Sequence, residues 1–329
     1  MSRRNDTVHV ITAAFAPARS SVAWGHSIES SAMSTWQSDA LNQLATAPKC
    51  VYRAAAPTAS EPAALAAMAL VAHGNADGAA KWRRWLAEHQ SPDGSLGINA
   101  AETDPCWPTA LAILAWRAHD AGTPESSPFA KQTSAAVRWL LRVSGEPVER
   151  SPGMGHDPTL IGWPWVLGTH SWIEPTAWAV LALKATGHAE HPRTREAVSL
   201  LIDRLLIQGG CNYGNTMVLG QILRPHLEPT GVTMLALAGE KDSLGRIDLS
   251  VEYLARTLNA ETPAASLAYG LLGLNAHHRS LAHSADWLAG AYQRQSARGF
   301  DPLRVALLLL AAAGSEAPPI KLPVGQGSP

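Results

Sequence analysis

Residues 171–183 read S-W-I-E-P-T-A-W-A-V-L-A-L, and residues 226–237 read H-L-E-P-T-G-V-T-M-L-A-L. Both set Glu-Pro-Thr just ahead of an apolar run with helical character. Pro suits the first turn of a helix, where its missing N–H costs nothing. A carboxylate at that end complements the helix dipole. The same spelling recurs along the chain. Glu61-Pro62, Asp104-Pro105, Thr262-Pro263 and Asp301-Pro302 also precede Ala/Leu-rich runs, among them P-A-A-L-A-A-M-A-L and P-T-A-L-A-I-L-A-W. With Glu174-Pro175 and Glu228-Pro229 there are six such starts, irregularly spaced but recognisably one repeat. The runs are apolar on nearly every face, which marks buried helices rather than amphipathic surface ones.

Between these runs lie stretches of a different kind. Residues 80–90, 136–142, 194–206, 249–258 and 285–295 mix Trp, Leu or Ile with charged and amide side chains at helical spacing, and 34–45 reads as a sixth. Six buried and six amphipathic helices in alternation predict an all-α fold without significant β-sheet. The economical arrangement is a closed α/α toroid, six helices inside and six outside; an open solenoid of helical pairs is the competitor. Links from inner to outer helix are short. The return links at 91–103, 144–173 and 209–227 are long, and long connections in a compact domain usually carry function. Alternation makes the inner helices parallel, so these links and all the acid-Pro starts share one end. That end is the expected site.

Composition bounds the rest. The chain has 329 residues, 46% hydrophobic and 16% charged, with a formal net charge of -1. This is a globular composition, and it carries no electrostatic footprint for nucleic acid. Three widely spaced cysteines, Cys50, Cys106 and Cys211, argue against a disulfide framework and for a reducing, cytoplasmic setting. Residues 1–30 read as a poorly ordered arm (Arg3-Arg4 before a weak apolar patch only loosely suggests an export signal), 31–314 as one toroid domain and 315–329 as a disordered tail. No apolar run approaches the roughly 20 residues of a membrane span.

Q-S-P-D-G-S-L-G at 90–97, the T-A-W-A-V-L-A-L helix and G-G-C-N-Y-G-N at 209–215 resemble the prenyltransferase/squalene-cyclase repeat. The likeness covers roughly residues 60–313. It implies an α/α toroid, as in terpenoid cyclases and the β subunits of protein prenyltransferases. Class II cyclases carry Asp-x-Asp-Asp-Thr-Ala at the start of an inner helix, and the middle Asp protonates the isoprenoid. Here the matching residues are Trp172-Ile173-Glu174-Pro175-Thr176-Ala177. Thr176 and Ala177 agree and Glu174 falls at the middle acid, whereas Trp172 and Pro175 replace the flanking carboxylates. Protein prenyltransferases bind zinc through Asp-x-Cys and a later His. Asp104-Pro105-Cys106 keeps the Asp-x-Cys spacing, but no third ligand falls in register; His170 and His226 are the nearby candidates.

The expected function is therefore terpene-cyclase-like. Glu174 would protonate or help to ionise an isoprenoid in the central cavity, once burial raises its pKa. Trp107, Trp163, Trp165, Trp172, Trp178 and Tyr213 would form an aromatic wall, since aromatic faces stabilise cations. His170, Thr176, Asn212, Asn215 and Glu228 complete the candidate substrate contacts. The plain structural alternative is that Glu174 and Glu228 only begin helices, and six polar-Pro starts favour it. Two further functions stay open: a non-catalytic toroid holding a lipid-like ligand or protein partner, and a zinc-dependent prenyl transfer enzyme using Asp104, Cys106 and His226. The cyclase reading needs no cofactor. Partners are an isoprenoid or other apolar small molecule; contact with a membrane surface and the oligomeric state are open, as is whether the chain is an enzyme at all.

Overall fold

The computed structural model describes residues 33–118, 127–150 and 153–321. The expected N-terminal arm thus lies outside the described residues. Six helices form an inner ring: α2 (Ser60–Ala72), α4 (Thr109–Arg117), α6 (Ile173–Ala185), α8 (Leu227–Ala236), α10 (Ala264–Ala276) and α12 (Pro302–Ala312). Six alternate with them outside: α1 (Thr35–Thr46), α3 (Ala76–Glu88), α5 (Ala130–Arg142), α7 (Pro192–Asp203), α9 (Arg246–Thr257) and α11 (Ser284–Ser296). Each inner helix packs on the next, and α12 packs back on α2, so the ring closes; α1 completes the outer layer against α12. The fold is an α/α toroid. Among the described residues the only sheet is a two-residue pair, β1 (Met217–Val218) with β2 (Gln221–Ile222). No described helix is long and apolar enough to cross a membrane.

Burial explains the two helix types. All thirteen residues of α6 are buried, and eleven of α2. An inner helix touches inner neighbours on two sides, an outer helix behind and the ring axis in front, so no face can be polar. Outer helices bury one stripe, with Trp82 and Trp139 facing inward. Lys184, buried on α6 by the far end of the ring, is matched: it lies 2.7 Å from Glu240, which also takes a two-pronged contact from Arg195.

A single device anchors the long return links. A fully buried Thr follows the proline of α4, α6 and α8, and its hydroxyl accepts a backbone N–H from the incoming chain. Thr109 accepts from Leu96 at 2.8 Å, Thr176 from Trp163 at 2.9 Å, and Thr230 from Cys211 at 2.9 Å. On the other side, Gly94 (φ +99°) and Gly209 (φ +88°) lie against the backbone of the next outer helix, where a Cβ would come within 2.3 Å and 2.2 Å of carbonyl oxygens. Only glycine fits both the left-handed conformation and that space.

Two boundaries differ from expectation. The α4 start is not Asp104-Pro105: the helix begins at Thr109 behind Pro108, so the residue in register with Glu174 is Trp107, and Asp104 is an exposed loop residue. The repeat contains a second proline there, and the helix uses the one followed by Thr-Ala-Leu. Residues 315–321, expected in a disordered tail, instead continue as a 3-10 turn (Gly314–Glu316) and α13 (Pro318–Lys321). Ala317, Pro318 and Pro319 are buried beside the ring.

Helices α8 and α10 meet backbone to backbone. A Cβ on Gly231 would stand 2.4 Å from the carbonyl of Tyr269. Gly231→Ala should therefore cost about 1–3 kcal/mol by overpacking. The midpoint of urea unfolding reads this directly, and an unchanged midpoint would contradict the close contact.

Candidate active site

The position before the ring proline holds Glu61, Trp107, Glu174, Glu228, Thr262 and Asp301 in turn around the toroid. Glu61, Glu174 and Glu228 each occupy the second residue of their helix. Ring closure points all three at one region. Glu61 and Glu174 are each only 9% exposed, and Glu228 is half-buried.

Helix N-termini lower the pKa of a nearby carboxyl, but burial and crowding win here. Burial, then the charges of Glu61 and Glu228, raise Glu174 to about 8. Burial raises Glu61 to about 7; the Tyr52 hydroxyl opposes this shift and the charge of Glu228 adds to it. Burial also raises Glu228, while the Arg304 guanidinium pulls it back. At neutral pH Glu174 thus keeps its proton. A neutral carboxylic acid beside Glu61, whose lower pKa of about 7 leaves it partly ionised at neutral pH, is an arrangement that can both donate and accept protons.

Aromatic rings enclose the cluster. Trp178 sits one turn below Glu174 on α6, and its ring meets Tyr269 of α10 edge-on with centroids 6.0 Å apart. Both are buried, so together they fill the axis beneath the carboxyls. The Tyr269 hydroxyl is held well above its ordinary pKa by burial and by all three glutamates. Above, Tyr52 approaches Glu61 from the loop between α1 and α2. Tyr213 approaches from the link before α8, its ring half-exposed and 5.4 Å from that of His226. Neither Tyr52, Glu61 nor Tyr269 was singled out by the sequence. Glu61 carries the same Glu-Pro signal as Glu174; the two tyrosines carry none, since Tyr52 comes from the irregular loop just before α2 and Tyr269 is brought in from α10 by ring closure.

The other candidates divide. Thr176 is fully buried and its hydroxyl is committed to the backbone of Trp163, so it serves the fold rather than a ligand. Trp163 is buried too; its indole donates to the Leu140 carbonyl at 3.0 Å and its face carries Arg193 at 4.6 Å. Trp107 and Trp165 pack edge-to-face at 4.8 Å over a gap of about 10 Å³, too small for a ligand. Trp172 lies against exposed His170, the rings tilted by 35° with centroids 4.6 Å apart. Asn212 accepts from the Gly214 N–H, and Asn215 lines a separate cavity of about 220 Å³ with His156 and His170. The continuous tryptophan wall is thus replaced by a smaller set of rings, with Trp178 the one tryptophan beneath the acid.

The zinc set does not assemble. Cys106 Sγ approaches Asp104 at 3.3 Å, but His226 lies against Tyr213 instead. Among the described residues no group of three or more His, Cys, Asp or Glu is placed to hold a metal ion. A larger space, about 800 Å³, opens at the same end of the ring, between the loop at 48–56 and the starts of α10 and α12. None of the three glutamates lines it, but Tyr52, which interacts with Glu61, and Arg304, which acts on Glu228, do, so it lies beside the cluster.

The raised carboxyls make a stability prediction. A folded-state pKa of about 8 against an ordinary 4.5 means that the folded chain holds a proton the unfolded chain has lost. Stability must fall as pH rises from about 4.5 to about 8, and level off above. Glu174→Gln removes this slope, so the variant should melt higher than the parent at pH ~9 and alike at pH ~4. Parallel melting curves at both pH values would refute the buried, protonated state.

No family model and no curated protein matches the chain, so the resemblance to the prenyltransferase/squalene-cyclase repeat gains no support from them. Among solved structures, a reducing end xylose-releasing exo-oligoxylanase is similar at 13% identity and a TM-score of 0.44, over 79% of this chain and 81% of that one. A likeness this distant bears on no activity.

Proposed function

We propose that the chain is an acid–base catalyst in which Glu174 donates the proton. One observation carries this: three glutamates from separate inner helices converge, and their burial and mutual repulsion keep Glu174 protonated up to about pH 8. A general acid works best when its pKa lies near the working pH. Glu61 and Glu228, lower than or less buried than Glu174, supply the matching base.

The substrate class that fits best is an unsaturated apolar molecule such as an isoprenoid. Glu174 would give its proton to an alkene carbon, leaving a tertiary cation beside the π faces of Trp178 and Tyr269. Such faces offer about 0.5–2 kcal/mol each to a desolvated cation. An ionised Glu61 or Glu228 would then take a proton from a neighbouring carbon, forming a new alkene and restoring charge balance. Support comes from the place of Glu174 in its motif, where the cyclase-like signature keeps its acid.

The test is incubation with geranyl- to geranylgeranyl-diphosphate and squalene, with product detection by mass spectrometry. Glu174→Gln should lose at least ~100-fold in turnover. Activity should also decline as pH rises through about 8, where Glu174 gives up its proton. Wild-type rates in Glu174→Gln would end the proposal. Tight ligand binding with no turnover of any substrate would favour the non-catalytic toroid.

A further inference from the structure

We infer that the 800 Å³ cavity beside the glutamates binds an organic anion with an apolar body. As a statement about substrate this rests on the acid-catalyst reading; as a statement about binding it stands alone. The cavity lies where the 48–56 loop, the end of α11 and the starts of α10 and α12 meet. Five cations line it, against the two carboxylates of Glu261 and Asp301. In a chain with 26 basic and 27 acidic residues, that excess is local.

Two of the five cations are engaged by the fold and three are not. Arg304 is bound to Asp301, which caps α12 by accepting the Arg304 N–H at 3.0 Å and pairs with the Arg304 guanidinium. Arg294 donates to the Ala260 carbonyl at 2.7 Å. Among the described residues, Lys49, Arg53 and Arg298 have neither an ion pair nor a side-chain hydrogen bond, and all three are exposed at the rim. Two guanidinium forks and an ammonium around one opening suit a carboxylate or phosphate group.

The wall below the rim is of opposite character. Val51, Ala264, Ala291 and Pro302 present hydrocarbon, and Phe300 leaves 42% of its surface exposed there. Inorganic phosphate would use only the rim, and a neutral lipid only the wall. A molecule with an anionic head and an apolar tail uses both, and its tail would run toward Tyr52, the residue shared by the cavity and the glutamate cluster.

The experiment titrates the full chain by calorimetry with octyl phosphate, octanoate, octanol and inorganic phosphate. Octyl phosphate, octanoate or both should bind about tenfold or more tighter than octanol and inorganic phosphate, and the ranking of the two tells which head is preferred. Arg53→Glu with Arg298→Glu should weaken that binding about tenfold at an unchanged melting temperature. Ala264→Trp, which fills the wall, should weaken octyl phosphate and leave inorganic phosphate as it was. Equal affinity for octanol, or wild-type affinity in the double charge reversal, overturns the anion site. Glu174→Gln should bind octyl phosphate normally. If that variant also turns over substrate normally while the double reversal loses binding, the acid reading falls and the anion site remains.

Discussion

A helix with no polar face can be buried only if something covers every side of it. In a row of such helices the two at the ends would stay exposed, and a ring is the arrangement without ends. The contact of α12 with α2 supplies this closure, and much else follows from it. Because each inner helix is followed by an outer one running back, all inner helices point the same way. Their N-termini, their dipoles and their incoming links are therefore gathered at a single rim. The ring does not merely support the candidate site; it decides that there is one.

At that rim two electrostatic tendencies oppose each other. One carboxylate at an exposed helix start is favourable by a few tenths of a kcal/mol to about 1 kcal/mol. Three of them, turned inward and stripped of water, repel one another, and the cheapest relief is to keep a proton. The same Glu-Pro spelling that reads as helix punctuation thus becomes acid chemistry once closure brings Glu61, Glu174 and Glu228 together. Punctuation and chemistry are two descriptions of one residue, and position in the ring selects between them.

This explains what could be read in advance. Helix types, their number and the shared end follow from periodicity and from proline, which act locally, and they were legible. Asp104 misled because two prolines lie close together and only the second is followed by the threonine that ties down the preceding link. Thr176 was expected at the substrate for want of the same knowledge: its hydroxyl is engaged by a backbone group thirteen residues earlier in the chain. Tyr52 and Tyr269 were missed because nothing near them in sequence is unusual. Tyr52 reaches Glu61 through the path of an irregular loop, and Tyr269 reaches the cluster from α10 only because the ring closes. The tryptophan wall was overdrawn for a related reason: an aromatic in a loop looks available until the loop is seen packed, as Trp163 is under Arg193.

The buried pair of Trp178 and Tyr269 has one more consequence. Both side chains are buried, so the space on their side of the carboxyls is protein and not solvent. A molecule bound at the glutamates would then come and go from the opposite side, the rim of helix starts. Were such a molecule turned over, entry and release would share that rim, and the rate would be tied to how readily the rim lets go.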